Sequence, residues 1–380
     1  MTVYGARIKL ARELRRHTQT ELADLVGIKQ ASLSQMESEI IQPTDAVLGR
    51  IATATTFPID FFGRPLRTAF PLGSLLFRAK AAATGRDLAE AHRWGQLLIE
   101  CYDGVAERYE RPAVRLPVLS GERPTQAADV TRSALGLGPD VPIPNLTYAL
   151  EQGGIKIVAC PVPLSGRCAF STWAGDRTPE PLIVVSREEA GDRLRFSEAH
   201  EVGHLVMHVG RAGGRIREVE QEANDFASAF LLPESAMLAE LTPPVSLLSL
   251  APMKRRWGVS LQALIMRARS LGIITNRRTR SLFQEINAGG HRLKEPEELA
   301  IPVERPRLFR KMAEMRYGAQ LDVRRMAGDL ALHPTLVAAI VNAHATAQDL
   351  RAVVTHRAPK NVVAFKLRAA QRSPRKLGLH

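Results

Sequence analysis

Cysteine is scarce in this chain, and long apolar runs are missing. The 380 residues include three cysteines, Cys101, Cys160 and Cys168, none of them in Cys-x-x-Cys spacing. Such a sparse, odd set excludes a disulfide-stapled scaffold and is typical of a reducing compartment. No apolar run reaches the roughly 18 residues that a membrane span needs, and the first residues lack the apolar core of a secretory signal. We therefore expect a cytoplasmic protein that does not enter a membrane.

Acidic residues are outnumbered by basic ones. The chain has 39 Asp and Glu against 52 Lys and Arg, which gives a formal net charge of +13. This balance favours polyanionic partners, above all nucleic acid, although an arginine-rich composition alone does not decide the question. Hydrophobic residues make up 45% of the chain and charged residues 24%. These fractions are ordinary for a soluble globular protein, and the length allows two or three domains.

One stretch carries a pattern typical of metal chemistry. Residues 196–208 read FSEAHEVGHLVMH and contain an H-E-x-x-H sequence, with His200, Glu201 and His204 at its fixed positions. Residues four apart share one face of a helix, so both imidazoles can bind one metal ion. Glu201 lies a quarter turn away, where its carboxylate can deprotonate a metal-bound water. The pattern predicts a zinc hydrolase with Glu201 as the catalytic base. The alternative is a pair of structural histidines on a core helix.

Two further residues of this predicted helix need explanation. Gly203 costs about 1 kcal/mol relative to Ala in a helix interior, so we expect a close approach by a neighbouring segment. His208 lies four residues beyond His204, but it is rotated about 80° from the midpoint of the two histidines. We expect it to cap the helix end rather than bind metal.

Three side chains outside the motif are candidates for stabilising the transition state. They are Tyr148, Ser171 and Arg195.

A third metal ligand is expected from the acidic stretch that begins at Glu218. Its glutamates separate on a helical wheel, where Glu220 lies on the buried face and Glu218 and Glu222 lie on the polar face. We predict that Glu220 completes a His₂Glu zinc site with water in the fourth position. Asn224 follows one turn after Glu220 and is the predicted hydrogen-bonding partner of the ligands.

The motif and this stretch together carry a family resemblance. HEVGH, followed by EQEANDFASAFLLP at residues 220–233, resembles the ImmA/IrrE (M78-type) metallopeptidases, over roughly residues 145–275. The resemblance implies a zincin-like α+β domain and a gluzincin-like zinc endopeptidase. It also implies a small number of regulatory proteins as substrates, often helix-turn-helix repressors.

Residues 4–62 show a pattern of short helices. Thr18-Gln19-Thr20-Glu21 is a capping box, which predicts a helix over Gln19–Val26. Gly27 ends this helix, and a second short helix follows near Gln30–Glu37. Two short helices around a glycine-containing turn are the helix-turn-helix plan.

This segment resembles the XRE (Cro/phage-repressor-like) family over about sixty residues, on the stretches QTELA, Gly27 and LSQME. The resemblance implies a five-helix domain that binds double-stranded operator DNA, usually as a homodimer, with Gln30–Glu37 in the major groove. The residues implied at base edges are Gln30, Ala31, Ser34 and Gln35. Those implied at backbone phosphates are Gln19 and Ser32. Three basic residues suit phosphates by their charge, and these are Lys29, Arg15 and Arg16.

Three acids bring negative charge near this face: Glu21, Glu37 and Glu39. Glu37 belongs to the family pattern, and we expect it to pack structurally. The alternative is an XRE fold retained as a protein-docking module.

The remaining segments predict mostly helices. Phe77–Tyr109 and Leu247–Ile274 have helical spacing, and Ser260 is the predicted N-cap of a helix inside the latter. Asn276–Arg280 is a basic run, and Asp322–Ile340 is weakly similar to a helix-turn-helix. Three short strands are predicted before the metal-binding helix, at Ile155–Ala159, Cys168–Thr172 and Leu182–Val185. The tail after Asp349 has eight Lys or Arg and no acid, so we expect it to add non-specific phosphate affinity.

The predicted fold class is mainly α with a small α+β core. Five regions are expected: a DNA-binding domain at 1–66, a helical connector at 67–125, a metallopeptidase core at 126–240, its helical extension at 241–290, and a C-terminal helical region with a basic tail at 291–380. The favoured interpretation is a DNA-binding regulator with a zinc endopeptidase domain. The rival is a non-proteolytic regulator or an antitoxin, whose peptidase-like domain senses a signal or binds a partner such as a toxin.

Overall fold

Helices dominate the computed structural model of the chain. It describes residues 1–66, 84–164, 169–175, 178–186, 190–209, 215–290, 295–347 and 349. A single small sheet of three strands lies among the helices of this described part. The predicted fold class, mainly α with a small α+β core, is confirmed. No helix among the described residues is long and apolar enough to cross a membrane.

The first five helices form the predicted N-terminal unit. They are α1 (Gly5–Leu14), α2 (Gln19–Val26), α3 (Gln30–Glu37), α4 (Asp45–Thr55) and α5 (Ile59–Phe62). The capping box is present, since the Thr18 hydroxyl accepts from the Glu21 amide at 3.1 Å and the Glu21 carboxylate accepts from the Thr18 amide at 2.6 Å. Gly27 follows α2 with a φ of +65°, which a residue with a Cβ rarely adopts. The turn between α2 and α3 therefore has the local cause that the sequence predicts.

A long helix, α6 (Gly85–Ala106), holds this unit against the rest of the molecule. Three arginines of the two elements make ion pairs across the contact. Arg7 meets Glu100 at 2.6 Å, Arg93 meets Glu13 at 2.5 Å, and Arg16 pairs with Asp87 and Glu90. The part of the predicted Phe77–Tyr109 helix before residue 84 lies outside the described residues.

The central region contains the sheet and the helices that cover it. Its elements in chain order are α7 (Pro124–Ala134), α8 (Leu146–Gln152), β1 (Lys156–Ala159), β2 (Ala169–Ala174), β3 (Glu180–Val185), α9 (Gly191–Met207) and α10 (Ile216–Leu231). β3 is the middle strand, parallel to β1 and antiparallel to β2. All three predicted strands and the predicted helix after them are present in the described part of the chain, and Cys168, the predicted start of the second strand, lies outside the described residues.

Both faces of the sheet are buried, so its side chains alternate between two cores. Ile183 and Val185 of β3 pack toward α9 and α10, whereas Leu182 and Val184 pack toward α6 and the C-terminal helices. Two-sided burial explains why β3 reads as a continuous apolar run. The sheet therefore separates α9 from the side on which the N-terminal unit is attached.

Helices make up most of the rest of the described chain. They are α11 (Glu234–Glu240), α12 (Leu247–Trp257), α13 (Leu261–Ser270), α14 (Asn276–Ala288), α15 (Leu308–Tyr317), α16 (Val323–Leu330) and α17 (Pro334–Asn342), with a short 3₁₀ turn at Glu297–Leu299. Ser260 caps α13 as predicted, accepting from the Ala263 amide at 3.1 Å. Asn276–Arg280, predicted as a basic run, begins α14, a helix that the sequence did not predict here.

The backbone of Asp322–Ile340 has the helix, turn and helix that its weak sequence similarity to a helix-turn-helix predicts. Ala331 follows α16 with a φ of +51°, and α17 begins three residues later, the same spacing as from Gly27 after α2 to the start of α3. However, the start of α17 presents Pro334, Thr335, Ala338 and Ala339 where α3 presents Gln30, Ala31, Ser34 and Gln35. This second turn therefore lacks the amide side chains that read bases.

The basic tail beyond residue 349 lies outside the described residues.

A buried carboxyl joins the central region to the C-terminal helices. Glu151, on α8, is 2% exposed and accepts from the backbone amides of Arg307 and Leu308 at 2.9–3.2 Å. Burial raises the pKa of Glu151 to about 7, although the two amides and the charge of Arg307 oppose the shift. The folded state therefore favours the protonated acid.

We expect this carboxyl to make the unfolding free energy pH-dependent. Because its folded pKa is above its ordinary 4.5, the stability that Glu151 contributes is lost as pH rises from about 4.5 to about 7, by at most about 3 kcal/mol. Glu151→Gln should flatten this fall between pH 5 and pH 8 in urea unfolding. Glu122→Gln, at an exposed position, is the control. An unchanged pH profile in Glu151→Gln would contradict the assignment.

Candidate metal centre and nucleic-acid interface

The crossing of α9 and α10 builds the candidate metal centre, and Gly203 allows the crossing. A Cβ built on Gly203 would lie 3.0–3.2 Å from the Phe226 side chain of α10. This confirms the expected close approach, and it brings the face with His200 and His204 against the face with Glu220.

A larger side chain at residue 203 should push the two helices apart. We expect Gly203→Val to destabilise the central region by about 1–3 kcal/mol, because overpacking a tight core forces the backbone to shift. Gly49→Val is the matched control, since Gly49 also lies in a helix but a Cβ there meets no atom within 4 Å. Thermal unfolding of the metal-free proteins measures both. Equal effects of the two substitutions would contradict the packing argument.

The three predicted ligands converge on one point. His200 Nε2 lies 3.0 Å from His204 Nε2, and Glu220 places Oε2 3.4 Å from His200 Nε2 and Oε1 3.3 Å from His204 Nε2. Within the ranges that the structure describes, this is the one group of three His, Cys, Asp or Glu side chains whose ligand atoms meet in this way.

The chemistry of this group fits zinc. Zinc ligands at about 2.0–2.2 Å from a tetrahedral ion lie about 3.3–3.6 Å from one another, close to the separations found. Glu220 Oε1 is buried and has no hydrogen-bond partner among the described residues, which is costly unless a cation satisfies it. Burial raises the pKa of Glu220, but the close ion-pair contacts with His200 and His204 outweigh it and bring the pKa below its ordinary value. The Glu220 carboxylate is therefore ionised at neutral pH in the metal-free centre.

Each of the two candidate imidazole ligands has a partner at its other nitrogen. Asn224 Oδ1 lies 3.0 Å from His200 Nδ1, in the position predicted for it. His208 Nδ1 lies 2.9 Å from His204 Nδ1, and its Nε2 lies 3.0 Å from Glu222 Oε2. His208 does cap α9, as expected, but its contact with His204 was missed. The helical wheel also misassigned Glu222, which turns toward His208 rather than toward the far polar side.

Glu201 is buried beside the edge strand β2. It is 4% exposed, and its Oε2 accepts a hydrogen bond from Ser171 Oγ at 2.6 Å. Of the three transition-state candidates, Ser171 is the one that contacts the motif in this way. Arg195 instead pairs with Glu304 and donates to the Ile143 carbonyl, and Tyr148 is 38% exposed on α8.

The predicted DNA contacts lie along α2 and α3. Lys29, Gln30, Ala31 and Gln35 are exposed, and Gln19, Ser32 and Ser34 are half-buried. Gln30 Nε2 donates to Gln19 Oε1 at 2.7 Å, and Gln19 Nε2 donates to Glu37 Oε2 at 2.8 Å. This chain of amides orients Gln30 from within the domain.

The basic and acidic residues around this face need one correction. Arg15 and Arg16 do not reach out for phosphates, because Arg15 donates to the Thr55 carbonyl and Arg16 pairs with Asp87 and Glu90 of α6. The sequence could not show the ion pairs of Arg16, because Asp87 and Glu90 lie some seventy positions away in the chain.

The acids near the face also have internal roles. Glu37 forms a buried ion pair with Arg12 at 2.5 Å, as its expected structural role requires. Glu39 accepts from the Gly5 amide at the start of α1 at 3.0 Å, and Glu21 belongs to the capping box. Their charges are thus partly compensated within the domain.

Two segments of the chain match known family models. Residues 8–62 match the helix-turn-helix model, and residues 150–269 match the M78 peptidase model, described as the IrrE N-terminal-like domain. No curated protein matches the chain. The first match covers α2 and α3, and the second covers the sheet, the H-E-x-x-H helix and Glu220.

Proposed function

We propose that this chain, in which an XRE-type helix-turn-helix domain is fused to an ImmA/IrrE (M78-type) domain, is a cytoplasmic DNA-binding regulator that is also a zinc endopeptidase. Its substrate would be a regulatory protein of the repressor type. The observation that carries the proposal is the convergence of His200, His204 and Glu220, with Glu220 Oε1 left without a hydrogen bond.

The residues of the site divide the work of peptide hydrolysis. His200, His204 and Glu220 would hold zinc, which supplies Lewis acidity that polarises a carbonyl and makes water more acidic. Glu201 takes a proton from the attacking water and passes it to the leaving amine, as a general base and then acid. The Ser171 hydroxyl holds Oε2 of Glu201, so that the carboxylate keeps one orientation. Burial of Glu201 excludes bulk water from the proton transfer.

The N-terminal domain would place this activity at chosen sites on double-stranded DNA. The helix α3 enters the major groove, where Gln30 and Gln35 pair with adenine edges. The exposed Lys29 and the start of α2 bind backbone phosphates. One such helix reads only a few base pairs, so we propose that the protein binds a two-fold operator as a homodimer.

A comparison of newly formed protein N-termini tests the enzymatic part. The purified protein is added to a chelator-treated cell lysate with and without restored zinc, and new N-termini are identified by mass spectrometry. The proposal expects a few sites in very few proteins, only when zinc is present. No new N-termini in either arm, with sequence-specific DNA binding intact, would favour the non-proteolytic regulator or antitoxin, in which the M78-type domain binds a partner.

A further inference from the structure

A third histidine, His208, and a further glutamate, Glu222, extend the hydrogen-bonded group of the candidate metal centre outward from His204. His208 lies one turn after His204 at the end of α9, and its side chain is 7% exposed. Its two ring nitrogens are both engaged, by His204 Nδ1 at 2.9 Å and by Glu222 Oε2 at 3.0 Å. The helices α9 and α10 are therefore joined twice, once through the proposed ligands and once through this outer pair.

The two short contacts allow one arrangement of protons when the centre binds metal. His204 can offer Nε2 to a metal only if its proton is on Nδ1. That proton is then donated to His208 Nδ1, which must be the unprotonated nitrogen of a neutral ring. The remaining proton of His208 lies on Nε2 and is donated to the Glu222 carboxylate. In the reverse arrangement, His208 Nδ1 donates to His204 Nδ1. The proton of a neutral His204 is then on Nε2, and this nitrogen cannot bind a metal ion.

The hydrogen-bond partner behind the other histidine of the motif, His200, is different in charge. His200 Nδ1 meets the neutral amide oxygen of Asn224 at 3.0 Å, whereas the chain from His204 ends on a carboxylate. A carboxylate behind a metal-binding imidazole fixes the orientation of the ring and makes it a stronger ligand. The two histidines of the motif are thus supported unequally, with His204 having the stronger support.

We propose that His208 and Glu222 are positioning residues that fix the tautomer and orientation of His204 and so strengthen zinc binding. This proposal rests on the zinc site of the proposed function. The contacts place His208 behind His204 and Glu222 behind His208, so we assign Glu222 an action on His204 that passes through His208. The alternative is that the pair only ties the end of α9 to α10.

Zinc affinity measured by competition with a chromophoric chelator tests the proposal on the full chain. We expect His208→Ala and Glu222→Ala each to weaken zinc binding by roughly 10–100-fold. The double variant should be no weaker than His208→Ala, because the proposed action of Glu222 on His204 passes through His208. His208→Asn keeps an acceptor for His204 Nδ1 and should restore part of the affinity. Glu218→Ala, which removes an exposed charge from the same helix, should bind zinc like the wild type.

Thermal unfolding of the metal-free variants separates positioning from a structural tie. Weaker zinc binding in His208→Ala and Glu222→Ala, without a matching loss of metal-free stability, supports the proposal. Unchanged affinity in both variants, or additive losses in the double variant, would overturn it while leaving the zinc site intact. A wild-type chain that binds no zinc would instead contradict the proposed function, and the positioning role would fall with it.

Discussion

Glu201→Gln is expected to retain zinc and to lose proteolysis. Glutamine has the same shape and can still accept from Ser171 Oγ, so the surroundings of the site should be preserved. It cannot take a proton from water, and general-base catalysis contributes roughly 10²–10⁴ in rate. The number and yield of new N-termini in the zinc-restored lysate should therefore fall to the level of the chelated sample.

The matched control for this variant is Glu218→Gln, which makes the same change at an exposed position of α10. It should leave both zinc content and cleavage unchanged. Zinc content measured on the same preparations separates a lost base from a lost metal. Cleavage by Glu201→Gln at the wild-type rate would contradict the role of this carboxylate.

Gln30→Ala is expected to reduce discrimination between DNA sequences. A bidentate amide–adenine pair is worth about 1–3 kcal/mol, so binding to the preferred sequence should weaken by roughly 10–100-fold. The dependence of binding on salt should barely change, because Gln30 carries no charge. The preferred sequence is first selected from random duplexes with the wild-type protein, and binding is then measured by fluorescence anisotropy.

Lys29→Ala is the contrasting variant at the neighbouring exposed position. It should weaken binding to all sequences about equally and lower the salt slope by about one. If Gln30→Ala selected the same sequence with the same preference as the wild type, α3 would not read bases through this residue. A domain that bound no duplex at all would favour the protein-docking alternative.

The sequence was most informative where the cause of structure is local. Gly27 predicted the turn after α2, and the helical wheel separated Glu220 from Glu218 because burial along α10 follows the helical period. Ser260 was recognised as a cap from its position alone. In each case the deciding interactions lie within a few residues of one another.

Contacts that depend on the crossing of distant segments could not be read in this way. The pairing of His208 with Glu222 requires the geometry of α9 against α10, and the contact of Ser171 with Glu201 requires the position of β2. Arg16 was assigned to phosphates because its partners on α6 are remote in sequence. The start of α14 was missed because a run of arginines hid the helical period.

Zinc content tests the central claim most directly. Elemental analysis of the purified wild-type chain, of Glu220→Ala and of Glu218→Ala compares the proposed ligand with a glutamate on the same helix that lies away from the centre. The account predicts about one zinc per chain in the wild type and in Glu218→Ala, and a sharp reduction in Glu220→Ala. No zinc in the wild type, even after zinc is supplied, would contradict the proposed metal centre and leave a DNA-binding regulator.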